Sequence, residues 1–153
     1  MLIETAAYED LTEILKLQHL AYQSEAILLQ NFSIPPLLQT LESVQREFEL
    51  GLILKAVEGE EIIGSVRGRV EGNTLYIGKL IVHPNHQRRG IGSALLLAIE
   101  RSYPELRCEL FTSSKSEKNI KLYERLGYTR FAQKAVSPDL SFVYLEKAPS
   151  VQA

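Results

Sequence analysis

The sequence predicts an α/β (α+β) domain built on a mixed, mainly antiparallel sheet. Three observations predict it. Near the start, over residues 9–23, apolar positions recur at helical spacing. Three apolar strand patterns follow within residues 52–82, separated by EGEE and EGNT, whose Gly and Asn suit hairpin turns. Beyond His83, helix and strand patterns alternate up to a closing pair of strands. The resulting order is β-α-α-β-β-β-α-β-α-β-β.

LIETA, at residues 2–6, is short and apolar and reads as the first strand. Leu11, Ile14, Leu15, Leu17 and Ala21 then line one helix face, with acidic residues near its start. The segment SEAILLQNFSIPP (24–36) ends in a double proline and reads as irregular. A second helix is expected over 37–49, with Leu38, Leu41, Val44 or Gln45, and Phe48 on one face, and Gly51 as its stop. Strands are expected near 52–57, 61–71 and 74–82, then a helix over 90–102 and a strand over 107–112. A helix over 117–126 carries Ser114 and Glu117 at capping-box spacing and Gly127 as its C-terminal stop. The last strands fall near 128–135 and 140–147. Residues 1–148 read as one domain and 149–153 as a frayed tail.

With 153 residues, 45% of them hydrophobic and 24% charged, the chain can bury a proper core. Its net charge of -2 offers no general attraction to nucleic acid or an anionic membrane, and QRRG lacks interleaved aromatics. No nucleic-acid or membrane partner is expected. Cys108, the one cysteine, precludes an internal disulfide and suits a reducing cytosol. MLIETAAYEDL has no signal pattern, so a cytoplasmic protein with nothing cleaved is the expectation. Cys108 alternates within LRCELF, which fits a small buried hydrophobe better than a nucleophile. His83 and His86 flank Pro84 without acidic or cysteine partners nearby, so no metal site is expected. Arg67 and Arg69 alternate on one strand face with Ser65 and read as solvated, ahead of the alternative that they help bind an acidic ligand group.

The stretch VHPNHQRRGIGSALLLAIE (82–100) carries the chemistry. A helix N-terminus exposes unpaired N–H groups and the positive end of the dipole. Gly90 and Gly92 have no Cβ, so an anion can approach the backbone there, and Arg88 and Arg89 add charge. Together these make a phosphate cradle from the amides of residues 89–93. The dinucleotide fingerprint fails because Leu95 occupies its third glycine position, and the Gly-Lys-Ser/Thr of a P-loop is absent.

Gln87-Arg88-Arg89-Gly90-Ile91-Gly92 resembles the Gln/Arg-x-x-Gly-x-Gly/Ala loop of the GNAT superfamily of N-acetyltransferases. Val82-His83-Pro84 looks like the end of their fourth strand, and NIKLYERLGY (119–128) resembles their second signature. The match is close over residues 75–131, and two motifs in the right order make it specific. The resemblance implies acetyl-CoA as cosubstrate and no metal. It places the pyrophosphate on the loop of Gln87, Arg88, Arg89, Gly90, Ile91, Gly92 and Ser93, and the pantetheine and acetyl group on Leu80, Ile81 and Val82. It also puts Asn119 against the cofactor, or fixing its helix, and makes Tyr123 the general acid for the departing thiolate. From spacing alone, Tyr123 is a core-edge aromatic beside Ile120 and Leu126.

The implied reaction is direct attack of a primary amine, on a small molecule or peptide, in a ternary complex. A strand-four N–H would stabilise the developing oxyanion. A lysine-like amine is about 0.04% neutral at pH 7, a deficit of roughly 4.6 kcal/mol, so such a substrate needs a base. Many relatives carry a glutamate in the fourth strand where this chain has Gly78, followed by Lys79. Glu25, Glu109 or a water chain could substitute, although each acid also reads as a solvated surface group. The missing glutamate keeps a second reading open, a non-catalytic acyl-CoA sensor on the same fold. In related enzymes the first two helices line the acceptor cleft, here about residues 22–48. A homodimer is an arrangement common in such families.

Overall fold

The computed structural model describes residues 1–151; the last two positions of the expected tail lie outside the described residues. The elements are β1 (Leu2–Thr5), α1 (Leu11–Ala21), α2 (Gln23–Leu29), α3 (Pro35–Leu38), α4 (Leu41–Leu50), β2 (Leu52–Glu58), β3 (Glu61–Glu71) and β4 (Thr74–Val82). Then come α5 (Ile91–Ser102), β5 (Arg107–Ser113), α6 (Glu117–Arg125), β6 (Thr129–Ser137) and β7 (Leu140–Lys147). One seven-stranded sheet has the order β1-β2-β3-β4-β5-β7-β6. Every pairing is antiparallel except β4 with β5. The fold class read from the sequence therefore holds.

Each sheet face has its own core. On one, α5 and α6 cover Leu75, Ile77, Leu110 and Leu145. On the other, Leu11, Ile14 and Val44 from α1 and α4 pack on Ile53, Ile62 and Ile81. Each such side chain contributes about 1.5–3 kcal/mol through removal from water. Gly64 lets α5 lie close on β3: a Cβ there would stand 2.9 Å from Leu95 Cδ1 and 3.1 Å from the Ile81 carbonyl oxygen.

Three local expectations are corrected. The segment expected to be irregular forms α2, because fully buried Ala26 docks it, and the prolines start α3 instead of breaking structure. The next helix begins at Leu41, where the Thr40 side chain accepts from the Ser43 N–H, so Leu38 lies outside it and is 62% exposed. The Ser114–Glu117 capping box does not form. Ser116 is the N-cap of α6, and its hydroxyl donates to Glu25 instead of its own helix. At the C-terminal end, the Ser150 hydroxyl and the Val151 N–H both donate to the Pro104 carbonyl.

Candidate active site

The site begins with a fault in β4. Arg67 pairs with Gly78, but two strand positions later Ser65 pairs with Ile81, so β4 carries one extra residue. Lys79 adopts φ +50 at this bulge. The insertion reverses which face successive side chains occupy. Leu75 and Ile77 face the α5 core, whereas Ile81 faces the α1 core. Pairing with β5 covers only Thr74, Leu75 and Tyr76, so beyond them the strands part. His83 donates its N–H to Ile63. By ladder alternation, Ile81 also bonds toward β3, while the main chain of Leu80 and Val82 faces the gap.

Beside the gap lies the N-terminus of α5. The first intrahelical bond runs from the Ala94 N–H to the Gly90 carbonyl, and no side chain caps Gly90. The N–H groups of Ile91, Gly92 and Ser93 thus lack helical partners. Arg88 (φ +65) and Gly90 (φ +78) are both left-handed, which curls the loop into a concave run of amides. A Cβ at Gly92 would lie 3.7 Å from Val82 and 3.9 Å from Leu122, so β4, α5 and α6 converge there. Lys118 on α6 donates to Gln87 across the mouth of the loop at 3.3 Å. The Arg89 guanidinium, by contrast, is turned away onto Glu58 and His86.

A left-handed Gly127 (φ +99) ends α6 in a Schellman motif. Gly127 N–H donates to the Glu124 carbonyl and Tyr128 N–H to the Tyr123 carbonyl. This fixes Tyr123, 8% exposed, at the core edge near the gap, with the Tyr128 ring 6.1 Å away. Burial pushes the Tyr123 hydroxyl up to about 12, and the Glu25 charge adds to the effect. Tyr22, at the α1–α2 joint, is raised in the same way, by burial first and then by Tyr123 and Glu25.

On the α1 side of the bulge the sequence reading of Arg67 is corrected. It is 5% exposed, not solvated. Its guanidinium donates to Gln18, to Gln39 at 3.0 Å and to Glu47 at 2.8 Å. Gln39 also donates to Glu47 at 2.7 Å. Burial tends to raise the Glu47 carboxyl, but the charges of Arg67 and Lys79 prevail and hold it below the usual range. Lys79 lies 3.8 Å from Glu47 and is shifted down, mainly by burial. Arg69 does stay exposed, against Glu71 at 3.1 Å and over the Tyr76 ring.

This geometry agrees with comparison to known proteins. The sequence profile of the acetyltransferase (GNAT) family matches residues 8–128. The chain belongs to the GNAT acetyltransferase family. A Bacillus subtilis relative, UPF0157 protein YqkA, is 28% identical over 119 residues, 77% of this chain and 34% of that protein. The chain thus spans about a third of that relative's length. Two solved structures share the fold at low identity. The ribosomal-protein-S18-alanine N-acetyltransferase from Escherichia coli has a TM-score of 0.82 at 16% identity, with 99% of this chain and 96% of that one covered. The PaiA N-acetyltransferase from Thermoplasma acidophilum, in complex with coenzyme A, scores 0.79 at 18% identity, covering 97% and 99%.

Within this GNAT domain the residues of the two motifs come together beside the start of α5. Gln87, Arg88, Gly90, Gly92 and Ser93 ring the end of α5, with Asn119 and Tyr123 on the adjoining α6. Ile91 offers only its amide, because its side chain is buried in the core. Ile81 departs from expectation: its main chain pairs with Ser65. Glu109, one of two acids considered as a base, is held by Arg107 at 2.9 Å where β4 and β5 still pair. Glu25 does reach the site, where Ser116 donates to it at 2.8 Å. Sequence reasoning placed Tyr22 in the expected acceptor region but missed Lys118 and the Arg67–Glu47–Lys79 group. Cys108 is buried, and burial pushes its thiol up to about 11, which removes it as a nucleophile.

Proposed function

We propose that the chain transfers an acetyl group from acetyl-CoA to a primary amine of a small molecule or peptide. The parted β4 and β5 beside an uncapped helix N-terminus carry this reading. Free N–H groups of Ile91, Gly92 and Ser93 suit a diphosphate, and the open edge at Leu80 and Val82 suits an extended amide-bearing arm. Solved relatives fit the reading, since the Thermoplasma acidophilum PaiA protein is in complex with coenzyme A.

In the transfer, the amine nitrogen attacks the thioester carbonyl, a C–N bond forms and the C–S bond breaks. A main-chain N–H facing the gap stabilises charge on the carbonyl oxygen. Tyr123 donates its proton to the leaving sulfur, the amine nitrogen sheds one proton to water as it becomes an amide, and water returns a proton to Tyr123. With Tyr123 near 12 and an ordinary thiol near ~8.5, that step would be uphill by roughly 5 kcal/mol. Removal of the leaving sulfur from water raises the thiol in turn and narrows that gap.

Titration calorimetry with acetyl-CoA tests the reading. Wild type takes it up, and Gly90→Val with Gly92→Val weakens uptake at least ~100-fold while the fold persists, as expected for loss of two charge-assisted hydrogen bonds. Unchanged uptake in that variant removes the cradle.

A further inference from the structure

Two groups of opposite charge face the acceptor side of the gap with bonding capacity left over. Arg67 spends its two terminal nitrogens on Gln18, Gln39 and Glu47, while its buried Nε has no partner among the described residues. Both Glu47 oxygens are taken, one by Gln39 and the other by Arg67. Lys79 is therefore left short. Its ammonium makes no hydrogen bond among the described residues, and Glu47 stands 3.8 Å away, beyond hydrogen-bond range. The Lys79 side chain is 25% exposed, and next to it Gly78 leaves the floor open: a Cβ there would meet nothing within 4 Å. At the other end, Ser116 donates to one oxygen of Glu25. The second Glu25 oxygen has no partner among the described residues. Tyr22 is within electrostatic reach of Glu25, Tyr123, Arg67 and Glu47, which ties the two sides together.

With one Glu25 oxygen unpartnered and Lys79 holding only a long ion pair, these two groups best fit a ligand of the reverse polarity. We propose that the acceptor is a small amine that also bears a carboxylate, with the carboxylate on Lys79 and the amine toward Glu25 and Tyr123. This rests on the acetyltransferase reading above and names the acceptor class of the same site. The ammonium of Lys79 can donate to a carboxylate without breaking any bond that now exists, and the ligand amine supplies the donor that Glu25 lacks. The same arrangement disfavours polycations. A diamine would place its second ammonium against Lys79, beside Arg67, where like charges repel. A neutral amide of the same acceptor would leave Lys79 desolvated and unpaired.

The test compares three acceptors of similar size with saturating acetyl-CoA: a free amino acid, its amide and an aliphatic diamine. Rates are taken per neutral amine, because the three differ in amine pKa. The amino acid should exceed the amide in kcat/KM by at least about tenfold, the size expected of one charge-assisted hydrogen bond, and the diamine by more. Lys79→Met should erase that preference, chiefly by raising KM for the amino acid toward that of its amide, with acetyl-CoA affinity retained. A charge-preserving Lys79→Arg should retain part of it, which a merely structural role would not predict. Equal use of acid and amide, or a preference that survives Lys79→Met, overturns the acceptor class while the acetyltransferase reading stands. Acetyl-CoA uptake without transfer to any carboxylate-bearing amine does the same. Absence of acetyl-CoA uptake overturns the acetyltransferase reading and this inference together.

Discussion

The two ends of the gap are built from different materials. The α5 end uses main chain: amides of consecutive residues, aimed by left-handed Arg88 and Gly90, with side chains largely absent or turned aside. The end proposed for the acceptor uses side chains from α1, the α3–α4 link, α4, β3 and the β4 bulge, joined in one network. A main-chain site tolerates substitution wherever the backbone path is kept. A side-chain network does not, because removing one member strands the others. The cradle should therefore yield to changes in backbone geometry and the acceptor wall to loss of single polar groups.

The strongest way to break this contrast is Arg67→Met. The change leaves Gln18, fully buried, and the inner face of Glu47 without their donor. We expect a stability loss of about 3 kcal/mol in urea unfolding, with acetyl-CoA affinity of the folded protein unchanged. Adding Glu47→Gln should cost less than the two changes separately, since they share one interaction. Strict additivity would mean that the network is not a unit.

Tyr123→Phe comes next and touches both ends, because Tyr123 stands where they meet. Turnover should fall about 100-fold with acetyl-CoA affinity retained, the usual scale for loss of a general acid. An unchanged single-turnover rate would return Tyr123 to the role its spacing alone suggests, a core-edge aromatic packed on Tyr128.

Glu47 gives a smaller, pH-dependent test. Its folded-state pKa is lowered, burial being outweighed by the charges of Arg67 and Lys79. The stability it contributes is thus present above the ordinary carboxylate value and lost as pH falls through the lowered one. Wild type should exceed Glu47→Gln at neutral pH, and the difference should shrink as pH falls from about 5 to about 3. A constant difference over that range would show that Glu47 acts through shape and not through charge.

The same contrast explains what could be read from the sequence. The loop proposed as the cradle was legible because its parts are adjacent: Gln87 to Ser93 is a continuous run, and Gly90 and Gly92 signal backbone exposure by residue type. NIKLYERLGY likewise contains its own stop in Gly127. The acceptor wall joins residues far apart, with Gln18 and Arg67 separated by 49 positions and Gln39 and Arg67 by 28. No local periodicity carries such information, so Arg67 read as solvated. The bulge was equally hidden, since nothing in LYIGKLIV marks Lys79 as the left-handed residue. The misplaced cap on α6 has a similar origin. Spacing favoured Ser114 with Glu117, but Ser116 found a partner in α2, 91 positions away.

The smallest expected effect is the most discriminating for the main-chain account of the cradle. Arg89 belongs to the signature loop and by charge alone looks like a phosphate ligand, yet its guanidinium lies on Glu58 and His86. If amides carry the grip, Arg89→Ala should change acetyl-CoA affinity less than about threefold, the scale of one exposed charge. Glu58→Gln frees the guanidinium toward the loop and should tighten binding at most about twofold at low salt, fading at high salt as the screening length shortens. Arg88 makes no ion pair among the described residues, and its left-handed main chain aims the loop, so Arg88→Pro, which φ +65 forbids, should cost far more than Arg88→Ala. A loss above tenfold in Arg89→Ala would mean that the guanidinium leaves Glu58 on binding, and that side chains share the diphosphate with the helix end.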